Sequence, residues 1–240
     1  MILAFQALQP VLAVERTDRK SRIAHEQLLA KAKSGRIDLY FLGDSITRRW
    51  GCSDEKYADL YANWKANFWG WNAGDFGWGG DTTLNILWRV RNGELDGVNP
   101  KVIVLLAGTN DLPGLGGSVD ASKIVAGRVS AILAECKLRA PKARLVLTAI
   151  FPRTDASGTL VVPVNQELKL VARASRATFL DANKGFTDLP KMFPDGLHPS
   201  VMGYQVWADA LRPQLRKWLG KPSTTDLAPP TTGDPGHLSE

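Results

Sequence analysis

The chain has 240 residues, of which 44% are hydrophobic, and this length suits one large domain or two small ones with a sizeable core. Its formal charge is +6, but the basic residues are scattered and no nucleic-acid-binding motif accompanies them, so we expect a mixed, solvated surface and no nucleic-acid partner. A basic face for acidic substrates or surfaces is the alternative. Two cysteines are too few for a disulfide framework or a metal cluster. The sequence contains no run of about 18 apolar residues, so it predicts no membrane span.

The amino-terminal segment precedes a predicted helix over residues 17–33. Residues 1–13 are apolar and resemble a degenerate signal peptide, although no lysine or arginine precedes the apolar run. Residues 1–16 are therefore either a residual leader or an arm packed across the domain, and the compartment stays open between cytoplasmic and secreted. His25 lies in the helix, far from any motif, and is expected at the surface or hydrogen-bonded within the fold.

Short apolar runs that end at glycine or polar residues predict buried strands, and these alternate with amphipathic segments. Strands are expected at residues 37–42, 68–72, 102–107, 144–150 and 177–180, and helices at 57–67, 82–91, 119–139, 164–173 and 201–218. The alternation predicts one doubly wound α/β layer sandwich over residues 1–220. We expect Asp81 to cap the helix at 82–91, Pro213 to kink or break the last helix, and the Pro- and Thr-rich residues 221–240 to be disordered.

Ser45 follows the first predicted strand and is the candidate nucleophile. Open α/β sheets bind ligands at the carboxyl ends of their strands, where backbone N–H groups are also left unsatisfied. His198 is the candidate base by elimination, because His25 lies in the first helix and His237 in the tail. Asp195 lies three residues before His198 and can accept a hydrogen bond from its ring, although a simple turn-forming role is the alternative.

Three groups near strand ends are candidate oxyanion donors: the N–H of Ser45, a glycine N–H from the loop at residues 77–80, with Gly80 favoured, and the side-chain amide of Asn110. A phosphate cradle is the alternative for the glycine loop, but the pattern G-x-x-x-x-G-K-[ST] is missing. A cap or turn is the alternative for Asn110. Asp44 is interpreted as structural rather than as the triad acid, because a residue adjacent to Ser45 in the chain cannot easily reach the base in the right geometry. The candidate substrate contacts are Asp44, Trp78 and Leu197.

Four blocks in this order resemble the SGNH, or GDSL-type, hydrolases: GDSI at 43–46, GWGGD at 77–81, GTND at 108–111 and DGLHP at 195–199. Within that superfamily, the stretch from Gly80 to Lys101 is similar to the catalytic subunits of platelet-activating-factor acetylhydrolase and to related bacterial acetylesterases. The resemblance implies a flavodoxin-like three-layer α/β/α sandwich with a parallel sheet of order 2-1-3-4-5. It also implies the following roles: nucleophile Ser45, oxyanion donors Gly80 and Asn110, and triad partners Asp195 and His198.

The function predicted from these residues is hydrolysis of a small, short-chain acyl ester, acetyl first, by a serine esterase that uses no cofactor and no metal. An acetylated carbohydrate is a candidate substrate, because tryptophans near Ser45 can stack on a sugar, although core burial is their alternative role. A lysophospholipase or thioesterase with the same triad, or a non-catalytic glycan- or protein-binding module, is the competing interpretation. A homodimer is compatible with the sequence. We expect a His198 pKa of about 6.5 or somewhat higher beside Asp195.

Overall fold

The computed structural model describes residues 11–116 and 118–230. Its centre is a five-stranded parallel sheet with the order β2-β1-β3-β4-β5, which confirms the topology implied by the resemblance. The strands are β1 (Leu39–Gly43), β2 (Ala73–Gly77), β3 (Val102–Leu106), β4 (Arg144–Thr148) and β5 (Thr178–Leu180). The α-helices are α1 (Arg19–Ala32), α2 (Ser45–Gly51), α3 (Ala58–Phe68), α4 (Thr83–Arg89), α5 (Ala121–Arg139), α6 (Val161–Ala174), α7 (Leu189–Met192) and α8 (Val201–Leu219).

Helices cover both faces of the sheet and divide the core into two. Because successive strand residues point to opposite faces, Tyr40 and Leu42 of β1 pack with α1, α4, α5 and α6, whereas Leu39 and Phe41 pack with α2, α3, α7 and α8. All five residues of β1 are buried, as expected for a central strand covered on both sides. The predicted three-layer sandwich is confirmed. Within the described residues, none of the helices combines the length and apolarity needed to span a bilayer.

The second strand lies five residues later than the sequence predicted. The strand expected at 68–72 is wrong: Phe68 ends α3, and β2 occupies Ala73–Gly77. The glycine content of residues 74–81 indicates a loop over that whole stretch, but its first half belongs to this strand. Gly77 is needed because α2 packs directly on this strand, where a Cβ on Gly77 would lie 2.3 Å from the backbone nitrogen of Arg48. Glycine in a strand marks such a close approach of backbones, a role that its usual turn preference conceals.

Two local expectations about helix ends and interiors are also corrected. The N-cap of α4 is Thr82, whose backbone N–H and hydroxyl both donate to Oδ1 of Asn85, and not Asp81. The Asp81 carboxylate instead accepts from Nε of Arg89 at 2.6 Å. Helix α8 runs without a break through Pro213. Proline has no backbone N–H, so Pro213 removes one hydrogen bond of the helix. The packing of α8 against the core face formed by α2 and α3 outweighs this loss.

The described part of the amino-terminal segment, residues 11–18, forms an arm against α4. The N–H of Val14 donates to the Leu84 carbonyl at 3.1 Å, and the Asn85 amide donates to the Val14 carbonyl at 2.9 Å. His25 in α1 is hydrogen-bonded to Glu94 at 2.8 Å, so the expectation of a satisfied histidine is confirmed. The leader-like residues 1–10 lie outside the described residues.

The first half of the tail is ordered against the amino-terminal edge of the sheet. Asp226 accepts a hydrogen bond from the N–H of Gly70 at 2.6 Å, and the Leu227 carbonyl accepts from the N–H of Arg36 at 2.9 Å. The expected disorder is therefore wrong for residues 221–230, because their polar groups pair with the loops before β1 and β2. Residues 231–240, including His237, lie outside the described residues.

Candidate active site

The carboxyl ends of three central strands lie level with one another. In the sheet register, Gly43 at the end of β1 pairs with Gly77 of β2 on one side and with Leu106 of β3 on the other. The chain leaves all three strands at this edge, so residues shortly after each strand meet above it. The sequence-predicted residues that follow within four positions are Ser45, Gly80 and Asn110.

Ser45 is the first residue of α2, and Asp44 is its N-cap. The Asp44 carboxylate accepts from the N–H of Ile46 at 2.9 Å, which fixes the turn from strand to helix. Asp44 is fully buried, and this burial raises the pKa of Asp44 to about 7. Its structural role is therefore the one observed, and the alternative of a direct substrate contact is not supported because the side chain has no exposed surface.

The structure brings together Ser45, His198 and Asp195, although Ser45 and His198 are 153 residues apart in the chain. Ser45 Oγ lies 2.9 Å from Nε2 of His198, and Nδ1 of His198 lies 2.7 Å from Oδ2 of Asp195. The other Asp195 oxygen accepts the backbone N–H groups of Leu197 at 3.0 Å and His198 at 2.7 Å. The Asp195 carboxylate is thus fixed by backbone N–H groups of its own loop. It holds the His198 ring so that Nε2 faces Ser45.

The charges at this site favour an ionised Asp195 beside a neutral His198. Burial alone would raise the pKa of Asp195, but hydrogen bonds from the backbone and ring of His198 and from Leu197 lower it to about 2. Burial and then the nearby Arg49 charge lower the pKa of His198 below its ordinary 6.5, and this outweighs the opposing effect of Asp195. The expectation of 6.5 or higher is therefore wrong, because it considered Asp195 but neither burial nor Arg49.

Arg49 follows Ser45 on α2, where the sequence indicates positive charge near the entrance of the site, but its contact with Asp195 was not predicted. Its Nη1 donates to Oδ2 of Asp195 at 3.2 Å, the same oxygen that contacts the His198 ring, and its guanidinium lies 5.5 Å from the centre of the Tyr57 ring. A signal was present, because Arg49 is four residues after Ser45 on α2, and residues at that spacing share a helix face.

The candidate oxyanion donors are tied to one another and to the amino-terminal arm. Asn110 Nδ2 donates to the Asp81 carbonyl at 2.9 Å, which links the turn after β3 to the glycine loop after β2. Gly80 is exposed and has a φ of +79°, a left-handed conformation that favours glycine. Arg16 Nη1 donates to the Gly79 carbonyl at 2.5 Å, so the arm holds this loop from outside, a contact without any signal in the sequence.

A buried arginine fastens the strand ends beneath the site. The scattered basic residues predict a solvated surface, but Arg89 departs from this expectation because its side chain is only 5% exposed. It donates to the Gly43 carbonyl at 2.9 Å and the Phe76 carbonyl at 3.2 Å, and it forms ion pairs with Asp81 and Glu94. The ends of β1 and β2 and the loop carrying Gly80 are therefore held by one side chain. The signal for Arg89 was its place in the stretch that resembles the acetylhydrolase subunits.

An open cavity of about 190 Å³ lies beside Ser45. Its lining includes Arg48, Arg49, Lys56, Tyr57 and Trp78. Trp78, one of the candidate substrate contacts, therefore borders the cavity, and Leu197 is half-buried in the loop between Asp195 and His198.

The other tryptophans near Ser45 do not border this cavity. Trp50 and Trp71 are core residues, 0% and 4% exposed, so core burial is the observed role for these two. Trp69 is 55% exposed, but it lines a different cavity, against the tail.

Comparison with known proteins matches residues 41–206 to the GDSL-like Lipase/Acylhydrolase family. Platelet-activating factor acetylhydrolase IB subunit alpha1 of Homo sapiens is 31% identical over 206 residues, covering 82% of this chain and 83% of the relative. Subunit alpha2 of Homo sapiens is 32% identical over 166 residues, covering 68% of this chain and 66% of the relative, so the chain spans just under two thirds of that protein.

Two solved structures share the fold. A GDSL-like lipase from Bacteroides thetaiotaomicron superimposes with a TM-score of 0.65 at 19% identity, covering 81% of this chain and 98% of that one. An acetylxylan esterase from Geobacillus stearothermophilus superimposes with a TM-score of 0.57 at 19% identity, covering 75% of this chain and 95% of that one. At these identities the likeness extends to the fold alone.

The sheet order and the sequence blocks at its carboxyl edge define the class as α/β proteins with a flavodoxin-like parallel sheet. The chain belongs to the GDSL-like lipase/acylhydrolase family, because the match covers residues 41–206 of its 240. The resemblance inferred from the four sequence blocks is thereby confirmed.

Proposed function

We propose that the protein is a serine esterase that hydrolyses short-chain acyl esters, acetyl esters first. Ser45 is the nucleophile, His198 the general base, and Asp195 the group that orients His198. The observation that carries the proposal is the continuous hydrogen-bonded chain of 2.9 Å from Ser45 to His198 and 2.7 Å from His198 to Asp195. A serine hydroxyl needs such a base because it is too weakly acidic to attack unaided near neutral pH.

The proposed reaction has two acyl-transfer steps. Nε2 of His198 takes the proton of Ser45 as Oγ attacks the ester carbonyl, and the resulting oxyanion is bound by the N–H groups of Ser45 and Gly80 and by the Asn110 amide. The C–O bond to the alcohol then breaks, and His198 gives the proton to the departing oxygen. Water, deprotonated by His198, next attacks the acyl-enzyme, and Ser45 leaves with the proton returned.

The preference for acetyl esters rests on two lines of support. The relatives at about 30% identity are named acetylhydrolases, and one structure with the same fold is an acetylxylan esterase. The cavity beside Ser45 is about 190 Å³, below the roughly 300–1,000 Å³ of sites for drug-sized ligands, which favours a small substrate. A carbohydrate O-acetylesterase is the form of this activity that we propose.

The test is labelling with a fluorophosphonate, which reacts with activated serines, followed by p-nitrophenyl esters from acetate to palmitate. Ser45→Ala should abolish labelling and leave at most a few per cent of turnover, because no other group can form the acyl-enzyme. Ser34→Ala, an exposed serine just after α1, is the matched control and should react like the unaltered protein. Preference for decanoate or longer would favour a lysophospholipase or thioesterase, and failure to label would favour a binding module.

A further inference from the structure

The turn that carries the candidate oxyanion donor Gly80 has little support of its own. Two glycines lie between Trp78 and Asp81, and the turn is closed by a long hydrogen bond of 3.4 Å from the N–H of Asp81 to the Trp78 carbonyl. Within the described residues, the N–H of Gly80 makes no hydrogen bond, so it is available to a ligand. Two successive glycines have more conformational freedom than other residues, which opposes a fixed position for this donor.

One side chain packs against the tip of this turn. A Cβ added at Gly79 would meet no atom within 4 Å. A Cβ added at Gly80 would have, apart from the adjoining residues, only atoms of Arg16 within 4 Å, and the nearest of them is Nη1 at 3.1 Å. In the part of the chain that the structure describes, the position of the turn therefore depends on Arg16 more than on any packing of its own.

Arg16 contacts the turn on both sides of Gly80. Its Nη1 donates to the Gly79 carbonyl at 2.5 Å and lies 3.6 Å from Oδ1 of Asp81. The Gly79 carbonyl and the Gly80 N–H belong to one trans peptide unit, which is planar, so the two groups point in opposite directions. By fixing the carbonyl, Arg16 therefore also fixes the direction of the N–H, and its charge polarises the peptide so that the N–H becomes a stronger donor.

Arg16 is itself held in place by the arm and by α1. Its Nη2 lies 3.2 Å from Oδ2 of Asp18, which is the N-cap of α1 and accepts from the N–H of Ser21 at 3.0 Å. Two residues before Arg16, the backbone of Val14 is hydrogen-bonded to α4 through Leu84 and Asn85. The guanidinium is therefore a brace between fixed elements and the glycine turn.

We propose that Arg16 is a positioning residue for the oxyanion site: it orients the peptide between Gly79 and Gly80 so that the Gly80 N–H is directed at the oxyanion before the reaction begins. The inference rests on the proposed function, in which Gly80 is one of the oxyanion donors. Because the full negative charge develops only in the transition state, the effect of Arg16 belongs to kcat and not to binding of the ester.

The first test is the kinetics of Arg16→Met with p-nitrophenyl acetate. We expect kcat to fall about ten- to a hundredfold, less than for loss of a whole donor, because the N–H remains but is no longer held. KM should change less than about threefold, since acylation and deacylation both pass through an oxyanion and slow together. The urea midpoint of unfolding should stay close to that of the unaltered protein, because the Arg16 side chain is 32% exposed.

A trifluoromethyl ketone gives a second measurement at the same site. Ser45 Oγ adds to its carbonyl carbon and the proton passes to His198, so the carbonyl oxygen becomes an oxyanion without an acyl-enzyme being formed. The inhibition constant should rise about ten- to a hundredfold in Arg16→Met, in parallel with the loss of kcat.

Two further variants serve as rescue and control. Arg16→Lys, which keeps the charge and a donor, should recover part of the lost kcat. Arg22→Met is the matched control, because Arg22 is an exposed arginine of α1 whose ion pair, at 3.9 Å, is with Glu15 of the arm and not with the turn. Its kcat and its inhibition constant should equal those of the unaltered protein.

The outcomes separate this inference from the proposed function. An unchanged kcat and inhibition constant in Arg16→Met would overturn the positioning role and leave the esterase intact. A rise in KM alone, or an equal loss of kcat in Arg22→Met, would overturn it as well, because the first indicates ester binding and the second a general effect of the arm. If the unaltered protein neither hydrolysed the ester nor bound the ketone, the esterase proposal and this inference would both be overturned.

Discussion

Arg49 makes the pH dependence of the proposed esterase testable. We expect Arg49→Gln to raise the pKa of His198 and so to move the acid limb of activity to higher pH. His198 must be neutral to accept the Ser45 proton, and the Arg49 charge opposes a second positive charge on the ring. Removing that charge, together with its bond to Oδ2 of Asp195, makes protonation of His198 easier by both routes.

The magnitude follows from the geometry. Arg49 Nη1 is 3.2 Å from Asp195 Oδ2, which is 2.7 Å from the His198 ring, so the guanidinium lies within about 6 Å of the imidazole. Two unit charges at about 6 Å interact by about 0.7 kcal/mol in water and about 2.8 kcal/mol at an effective dielectric constant of 20. Because Arg49 is 28% and Asp195 48% exposed, solvent screening favours the lower part of this range. We therefore expect a shift of about 0.5 to 1 pH unit.

The assay is kcat/KM against pH for a neutral short-chain ester, since this ratio reports the pKa of the free enzyme. The unaltered protein should lose activity below a midpoint under pH 6.5, because burial and Arg49 lower the pKa of His198. Arg49→Lys, which keeps the charge, is the control and should shift the midpoint less than Arg49→Gln. Equal midpoints for the protein and Arg49→Gln, or a shift to lower pH in the glutamine variant, would refute the reasoning.

Two further changes test the oxyanion site and the support beneath it. Asn110→Ala should lower kcat about 10²- to 10³-fold with little change in the urea midpoint of unfolding, because it removes one donor to the developing charge; a kcat within threefold of the original would exclude Asn110 from that role. Arg89→Met should lower the free energy of unfolding in urea by about 3–5 kcal/mol, because it leaves the carboxylates of Asp81 and Glu94 buried without their partner. A loss below about 1 kcal/mol would mean that these acids are protonated or solvated once Arg89 is gone.

The sequence predicted the layers of the fold because their signals are local. An apolar run such as the one at β3 predicts a buried strand from the local sequence alone. The alternation of strands with helices then limits the possible topologies to a few. The strand order itself came from the resemblance and not from the residues. The error at β2 has a physical cause: Gly77, at the end of the strand, is required by the close approach of α2, a tertiary contact that glycine's local preference for turns conceals.

Part of the candidate site could be predicted from the sequence because the chain offers few residues of the types that the chemistry needs. With three histidines in the chain, elimination sufficed to choose His198, and Asp195 followed from its spacing. Arg49 was within reach of the same reasoning, since it shares a helix face with Ser45. Arg16 was not, because its contact with the Gly79 carbonyl depends on where the arm crosses α4, and no periodicity in residues 11–18 encodes that path.

The charged residues around the site act differently according to their depth. Arg89 is buried, so its pairing with Asp81 and Glu94 is strong, and it can hold two strand ends and the glycine loop in fixed positions. Arg49 lies at the solvent boundary, where a charge costs little to leave unpaired and can exchange one carboxylate partner for another. Substitution of Arg89 should therefore act mainly on the free energy of unfolding, whereas substitution of Arg49 should act mainly on the pH dependence of activity.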